Sequence, residues 1–249
     1  MQILTSGKNP LIKDVSRATN RGTLTEQGYA VAEGRNLYDE AIRSGLEIGG
    51  VFVVDDVDHT VVADVPVYVV PRALFREMAS TETPQGILTL VRPYESQLAD
   101  VFARTAILLD GIQDPGNAGA IVRATEAFGG SGVVFLKTTV SPFNPKCLRA
   151  SAGSLFRLPF VNHPDPVQVQ EAIAAHQVTL YAGMPGAPLS IEEVDWATPS
   201  AIVIGSEGRG VSAEWSAQAI HVRIPTQKVE SLNAAVSASV ILYEARRRR

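Results

Sequence analysis

The sequence predicts an α/β protein of two domains, a small sandwich followed by a larger domain built on a parallel sheet. Short apolar runs such as residues 133–136 and 201–204 are rich in β-branched residues, which is typical of strands covered on both faces. Stretches with helical periodicity alternate with these runs, as they do in α/β folds. The chain has 249 residues, 45% of them hydrophobic, so each domain can bury a core of ordinary size.

The first domain is predicted to span residues 1–92. Residues 93–104 form the predicted linker, because Pro93 interrupts the preceding strand and polar residues follow it. Strands and helices alternate within the first domain, which predicts a small α/β/α sandwich. The predicted strands are 29–34, 50–54, 65–70 and 86–90, and the predicted helices are 35–44 and 72–79.

A basic segment precedes these elements. Lys8, Lys13, Arg17 and Arg21 lie within the first 22 residues, where Asp14 is the lone acidic residue. Apolar residues with weak helical spacing accompany them, so the segment is predicted to be a helix. This pattern fits a basic helix that lies along RNA and the solvated face of an ordinary helix equally well.

The second domain, residues 105–249, begins with a predicted strand at 106–109. Asn117 is predicted to cap the following helix, because its side-chain oxygen can accept a backbone N–H of the first turn. Arg123 points away from the apolar face of this helix, since it lies about 200° around the helix from Ile121. The apolar face consists of Ile121, Thr125 and Phe128, and the helix is predicted to end at Gly129 and Gly130.

Residues 201–235 combine a buried strand, a glycine-rich loop, a second strand and the start of a helix near Ser231. Gly205, Gly208 and Gly210 keep side chains away from a place where the backbone turns sharply or approaches a ligand. The second strand is predicted to end at Ile224, before another loop. Since parallel sheets bind ligands beyond the carboxyl ends of their strands, these two loops are predicted to flank one pocket.

The net charge is −4, although phosphate binding requires basic residues. The acidic residues are concentrated in residues 161–220, which contain one basic and seven acidic residues. No acidic residue lies between Glu126 and Asp165, and this gap contains Lys137, Lys146, Arg149 and Arg157. Within it, a loop is predicted to lead into a helix that begins at Pro145. The sequence therefore permits a cationic face on an acidic protein.

Several classes of protein lack support in the sequence. It contains no dinucleotide-binding or phosphate-loop glycine motif, no zinc-protease motif and no hydrolase nucleophile motif. The single cysteine, Cys147, excludes an internal disulfide and a cysteine-based zinc site. The scattered histidines, His59, His163, His176 and His221, suggest no metal site. We expect a cytoplasmic protein without a membrane segment, since no apolar run approaches the roughly 20 residues that a spanning helix needs.

Three ordered motifs resemble those of the SpoU/TrmH-type RNA 2′-O-ribose methyltransferases of the SPOUT superfamily. They are LLDGIQDPGNAGAIVRATEAFG (108–129), GSEGRG (205–210) and IPTQKVESLNAAVSASVILYE (224–244). The third motif is one residue shorter than the usual family pattern and lacks its glycine. The resemblance implies a trefoil-knotted catalytic domain, which topology rules could not predict. It also implies a homodimer, S-adenosylmethionine as cofactor, and an L30e-like RNA-substrate-binding domain before the catalytic one.

The resemblance also implies roles for individual residues. The implied catalytic set is Asn117, Arg123, Glu207, Ser231 and Asn233, and the implied cofactor-binding set is Gly205, Ile224, Ser231, Leu232 and Asn233. The candidate RNA-binding residues are Lys8, Lys13, Arg17, Arg21, Lys146 and Arg149. The family usually treats Arg123 as a general base, but a guanidinium is not normally deprotonated. We therefore expect Arg123 to fix a phosphate and to stabilise alkoxide charge.

These observations predict an S-adenosylmethionine-dependent methyltransferase that modifies a ribose 2′-OH of structured RNA without a metal ion. Ribosomal RNA is the preferred substrate, because the first domain resembles an RNA-binding module. The alternatives are a tRNA 2′-O-methyltransferase and a catalytically silent RNA-binding protein of the same fold.

Overall fold

A computed structural model describes residues 1–56, 65–94 and 96–248. His59 and Arg249 lie outside the described residues. The chain forms two compact units that alternate along the sequence. Unit 1 contains Met1–Tyr94 and Ser141–Arg157, and unit 2 contains Glu95–Val140 and Leu158–Arg249.

Unit 1 contains a mixed sheet whose strands lie in the order β1-β4-β3-β5-β2. β4 pairs in parallel with β1 and β3, whereas β5 pairs antiparallel with β3 and β2. The elements are β1 (Gln2–Ile3), α1 (Pro10–Arg21), β2 (Ala30–Glu33), α2 (Arg35–Arg43), β3 (Ile48–Val54), β4 (Val67–Val70), α3 (Arg72–Met78) and β5 (Ile87–Val91).

Helices cover both faces of this sheet. Phe52 and Val54 of β3 belong to a buried cluster with residues of α1 and α3. The alternate residues Val51 and Val53 belong to a second cluster with Tyr38 of α2. Since successive side chains of a strand point to opposite faces, β3 contributes to both cores. The predicted α/β/α sandwich is confirmed.

Unit 2 contains a seven-stranded sheet in the order β10-β12-β9-β11-β6-β7-β8. Every strand pair in it is parallel, which explains why the strands read as continuous apolar runs. The strands are β6 (Thr105–Asp110), β7 (Gly132–Phe135), β8 (Phe160–Asn162), β9 (Thr179–Gly183), β10 (Leu189–Ser190), β11 (Ser200–Gly205) and β12 (Ile220–Arg223).

Five helices of unit 2 accompany this sheet in the described part of the chain. They are α4 (Leu98–Val101), α5 (Pro115–Ala127), α7 (Pro166–Ala175), α8 (Ala213–Ser216) and α9 (Ala234–Arg247). α5 packs against α9, and Phe128 contacts Tyr243 edge to face with ring centroids 5.8 Å apart. This ring contact joins the C-terminal parts of the two helices.

The segment between β7 and β8 belongs to unit 1, whereas the sequence analysis groups it with the second domain. It contains α6 (Pro145–Ser151), which starts at the predicted residue and packs against β2. Arg149 Nη1 donates to Ser80 Oγ at 2.6 Å and to Glu33 Oε2 at 3.2 Å. Since Glu33 is only 5% exposed, this ion pair holds α6 on the sheet of unit 1.

Two predicted helix starts are corrected by the structure. Asn117 does not cap α5: Asp114 is the cap, and its Oδ1 accepts the Asn117 backbone N–H at 2.9 Å. Pro115 at the first helical position fits this arrangement, because its missing N–H needs no partner there. α9 begins at Ala234 and not near Ser231, since the Asn233 side chain accepts from the backbone N–H groups of Ala235 and Val236.

Candidate functional site

The carboxyl ends of β6 and β11 lie side by side, because Asp110 pairs in register with Gly205. After β11 the chain makes a tight turn in which Ser206 and Gly210 exchange backbone hydrogen bonds of 3.1 and 2.8 Å. A Cβ at Gly205 would lie 2.1 Å from the Gly210 carbonyl carbon. Glycine is therefore required at position 205 for the turn to close on the strand.

A first pocket of about 250 Å³ opens beside this turn. Its walls are mostly apolar, and two carboxylates, Glu207 and Glu230, line it. No Lys or Arg lines it within the described ranges. The predicted cofactor residues that line it are Gly205, Ile224, Ser231 and Leu232.

A second, larger pocket of about 770 Å³ lies on the other side of the turn. It is lined by the loop after β6, by the start of α5 and by the turn after β11. Ser206, Glu207 and Gly210 line both pockets. The two pockets therefore adjoin along one short wall, so that two ligands can meet there.

Three side chains from the three motifs are joined at this wall. Glu207 Oε1 accepts hydrogen bonds from Asn117 Nδ2 at 2.7 Å and from Asn233 Nδ2 at 2.8 Å. Asn233 Nδ2 also lies 3.2 Å from Asn117 Oδ1. Since Asn233 caps α9 with its Oδ1, this network fixes the starts of α5 and α9 to the turn after β11.

Asp110 is a functional candidate that the sequence analysis did not single out. It is 8% exposed, and its Oδ2 accepts the Ser212 backbone N–H at 2.6 Å. This bond anchors the far end of the turn to β6. A sequence signal existed, because an acidic residue directly after a buried parallel strand lies where such sheets bind ligands.

Arg123 lies apart from both pockets in this chain. It is exposed on α5, almost two turns beyond Asn117, and it lines neither pocket. Ser231 lines the first pocket and Asn233 belongs to the amide network. The structure thus brings together Asn117, Glu207, Ser231 and Asn233 but not Arg123.

The candidate RNA-binding residues all lie in unit 1. Lys8, Lys13, Arg21 and Lys146 have exposed side chains. Arg17 forms an ion pair with Asp14, and Arg149 is bound to Glu33 as described above. The positive charges of Arg17 and Arg149 are therefore partly compensated within the unit.

Within residues 1–56, 65–94 and 96–248, no three His, Cys, Asp or Glu side chains are grouped so that they could bind a metal ion. No helix in the same ranges combines the length and the apolar character needed to cross a bilayer.

The chain is thus an α/β protein whose parallel sheet has two adjoining pockets at its strand ends. The chain belongs to the SpoU rRNA methylase family, which residues 104–243 match. Residues 9–89 match the MRM3-like substrate binding domain. The family predicted from the three motifs is confirmed, and so is the fold class. The trefoil knot stays a prediction.

Full-length relatives support this assignment. The chain is 32% identical to the 23S rRNA (guanosine(2553)-2′-O)-methyltransferase RlmP of Bacillus subtilis, with 99% of this chain and 100% of that protein covered. It is 34% identical to an uncharacterized tRNA/rRNA methyltransferase of Synechocystis, with 98% and 93% covered. The crystal structure of the SpoU methyltransferase AviRb from Streptomyces viridochromogenes in complex with AdoMet superposes with a TM-score of 0.87, 25% identity, and 96% and 97% coverage.

Proposed function

We propose that this protein transfers a methyl group from S-adenosylmethionine to a ribose 2′-OH of ribosomal RNA. The observation that carries the proposal is the pair of adjoining pockets that share Ser206, Glu207 and Gly210. A methyl transfer needs the donor and the acceptor within contact distance, and a shared wall provides that place. The RNA substrate agrees with the family, and the preference for ribosomal RNA agrees with the Bacillus relative.

The first pocket suits S-adenosylmethionine chemically. Glu207 and Glu230 give it negative potential, which favours a ligand with a sulfonium and an ammonium charge. Apolar side chains such as Leu232 and Ile241 suit an adenine ring, and the Gly205 backbone allows close approach. When bound, this molecule supplies a methyl group that its sulfonium already activates. The protein then has to position the acceptor hydroxyl and assist the loss of its proton.

The hydrogen-bonded group of Asn117, Glu207 and Asn233 is well placed to position the acceptor hydroxyl. Glu207 uses Oε1 for Asn117 and Asn233, so the orientation of its carboxylate is fixed from two sides. We assign Asn117, Glu207, Ser231 and Asn233 to the catalytic wall, and Gly205, Ile224, Ser231, Leu232 and Asn233 to cofactor binding. Glu207 can then act on both ligands, because it lines both pockets.

Arg123 has a separate proposed role. A guanidinium keeps its proton, so a base function is unfavourable, whereas binding of a phosphate and stabilisation of developing alkoxide charge suit it. Since it is exposed on α5 and lies outside both pockets of its own chain, this role requires that Arg123 acts on RNA bound to a second copy of the chain. The phosphate or water then takes the hydroxyl proton.

Unit 1 is the proposed RNA-binding part. Its exposed cations Lys8, Lys13 and Arg21 are available to phosphates, and residues 9–89 match a substrate binding domain. Lys146, Arg17 and Arg149 complete the proposed RNA-binding set. We also propose a cytoplasmic homodimer. Val236 and Tyr243 of α9, which are 48% and 54% exposed, offer apolar surface for the second copy.

Incubation of the protein with labelled S-adenosylmethionine and unmodified ribosomal RNA tests the proposal. We expect label in ribosomal RNA, at a nucleotide that mapping of 2′-O-methyl sites identifies. Label in tRNA alone would support the tRNA alternative. Absence of transfer together with absence of cofactor binding in calorimetry would leave an RNA-binding protein of the same fold.

The variant Glu207→Gln sharpens this test. Glutamine keeps an oxygen for Asn117 and Asn233 but removes the negative charge, so cofactor binding should weaken by about fivefold. Glu214→Gln is the matched control, because Glu214 is an exposed carboxylate of α8 that lines neither pocket. Equal cofactor affinity for both variants would remove Glu207 from the cofactor site.

A further inference from the structure

Arg209 is a positively charged residue in an acidic part of the sequence. It is the only Lys or Arg in residues 161–220, which carry seven acidic residues. It is also the only Lys or Arg that lines the second pocket in the described part of the chain. Its position between Gly208 and Gly210 places this cation at the tip of the turn after β11.

The backbone of Arg209 is held firmly. Its N–H donates to Ser206 Oγ at 3.3 Å, within the turn that the Ser206–Gly210 backbone pair closes. The turn is fixed at its end as well, because the Ser212 N–H is bonded to Asp110. The side chain therefore starts from a preorganised anchor, which lowers the entropic cost of binding a ligand.

The guanidinium of Arg209 lacks a carboxylate partner among the described residues, as do those of Arg104 and Arg123 but not those of several other arginines. Arg17, Arg92 and Arg149 are each paired with a carboxylate. Arg209 is exposed and forms no ion pair with any residue that the structure describes. Its charge is thus available to an external anion.

The acidic groups of the second pocket are already engaged. Asp110 accepts from Ser212, Asp114 caps α5, and Glu207 accepts from two amides. These carboxylates repel an anion, so a polyanionic substrate can enter only if a cation offsets them. Arg209 is the cation among the lining residues that can do so, and a guanidinium matches the geometry of a phosphate.

We propose that Arg209 is a substrate-positioning residue that binds a phosphodiester of the RNA next to the methylated ribose. This inference rests on the proposed function, since it places the acceptor nucleotide in the second pocket. A pocket of about 770 Å³ lies within the usual range of roughly 300–1,000 Å³ for small-molecule sites and leaves room for a nucleotide. Arg209 acts on the RNA and not on the cofactor, because it does not line the first pocket.

The test compares Arg209→Ala and Arg209→Lys with the wild-type protein and with Arg104→Ala. Arg104 is an exposed arginine directly before β6, so it lies at the opposite end of this strand from Asp110. The substrate is unmodified large-subunit ribosomal RNA transcribed in vitro. Turnover, the KM for RNA, the salt dependence of RNA binding on filters, and cofactor affinity by calorimetry are measured for each protein.

We expect Arg209→Ala to raise the KM for RNA about tenfold, the typical effect of losing one charge-assisted contact. The slope of log affinity against log salt should fall in magnitude by roughly 0.7–0.9, the value for one phosphate contact. Arg209→Lys should keep most of this slope, because lysine also binds phosphate as a point charge. Cofactor affinity should stay unchanged, and Arg104→Ala should match the wild type.

Three results would overturn the proposal. Arg209→Ala could match Arg104→Ala in KM and salt slope, which would make Arg209 an ordinary solvated charge. An unchanged slope with Arg209→Lys as poor as Arg209→Ala would indicate a contact to a base. A parallel loss of cofactor affinity would indicate collapse of the turn. If the wild-type protein transfers no methyl group, the proposed function fails, while the binding slopes still decide whether Arg209 contacts phosphate.

Discussion

Glu207, Asn117 and Asn233 show how single residues join distant parts of the chain. Asn117 and Asn233 are 116 positions apart, yet the hydrogen-bonding atoms of the three side chains lie within 3.2 Å of one another. The resemblance of the motifs to a known family predicted that these residues belong to one site. It did not predict their hydrogen bonds, because amide and carboxylate partners are set by tertiary packing.

The Asn117→Asp variant tests the network at this scale. A carboxylate at position 117 loses the donor to Glu207 and places two negative charges side by side. Turnover should fall at least about tenfold at neutral pH. Because two adjacent carboxylates raise the pKa of one of them, a shared proton should restore part of the activity as the pH is lowered. A pH–rate profile that parallels the wild type would contradict the network's role.

Arg123→Ala tests the proposed electrostatic role of this arginine. Turnover should fall by roughly 10²-fold, the usual effect of losing a transition-state contact, and cofactor affinity should change little. Arg123→Lys should fail nearly as badly, since a point charge does not reproduce a planar fork on a phosphate. Turnover like that of the wild type would refute the assignment.

Cys147 illustrates the effect of burial on a single group. Burial in unit 1 raises the pKa of the Cys147 thiol to about 12. The unfolded chain ionises near the ordinary value of about 8.5, so the neutral buried thiol favours folding below that pH and this contribution is lost as the pH rises. The difference in unfolding free energy between wild type and Cys147→Ala should therefore shrink above about pH 8.5. A pH-independent difference in denaturation experiments would contradict this.

At the scale of elements, most strands and helix starts were predicted to within about two residues, whereas the starts of α5 and α9 were misplaced by three. β6, β7 and β11 follow from runs of buried apolar residues, whose pattern is local. The start of α5 was misplaced by three residues, because Asp114 and Asn117 are both good caps and only the folded structure selects one. Pro115 was the sequence signal in favour of Asp114.

The placement of α6 could not be read from the sequence. Its start at Pro145 was predicted correctly, since Asn144 and Pro145 form a strong start signal. Its membership of unit 1 depends on Glu33 and Arg149, which are 116 positions apart. No local pattern predicts such a pair.

The variant Glu33→Ala tests how strongly this pair holds α6. The Glu33 carboxylate accepts hydrogen bonds from Ser80, Thr81 and Arg149, all of which lose their partner. The free energy of unfolding should fall by about 1–3 kcal/mol in denaturant titrations. Glu77→Ala is the control, because Glu77 is an exposed carboxylate of α3, and it should stay within about 0.5 kcal/mol. Equal stability of the two variants would show that the pair is dispensable.

At the scale of the whole molecule, neither unit is continuous in sequence, because a segment that belongs to unit 1 lies between β7 and β8 of unit 2. A fragment that starts at Glu95, the first residue of unit 2, keeps both pockets, since every residue that lines them lies beyond that point. The fragment includes Val101 and Phe102, which are buried in the core of unit 2. It also keeps Ser141–Arg157 but removes the sheet on which α6 packs. In such a fragment, cofactor binding should be retained, whereas the segment Ser141–Arg157 should become exposed.

We expect the fragment from Glu95 to bind S-adenosylmethionine with nearly the affinity of the full chain. Its RNA binding should be weaker and less dependent on salt, because Lys8, Lys13, Arg17 and Arg21 are absent. Cys147, which is buried in the full chain, should become reactive toward alkylating reagents, since an exposed thiol regains an ordinary pKa. In a matched control fragment, a glycine- and serine-rich linker replaces residues 141–157. This fragment should bind the cofactor equally well, but it should bind a smaller amount of a hydrophobic dye because it lacks the exposed segment. Protection of Cys147 in the first fragment would show that unit 2 alone buries this segment. Equal RNA affinity and equal salt slope for the fragment and the full chain would show that unit 1 is not the RNA-binding part.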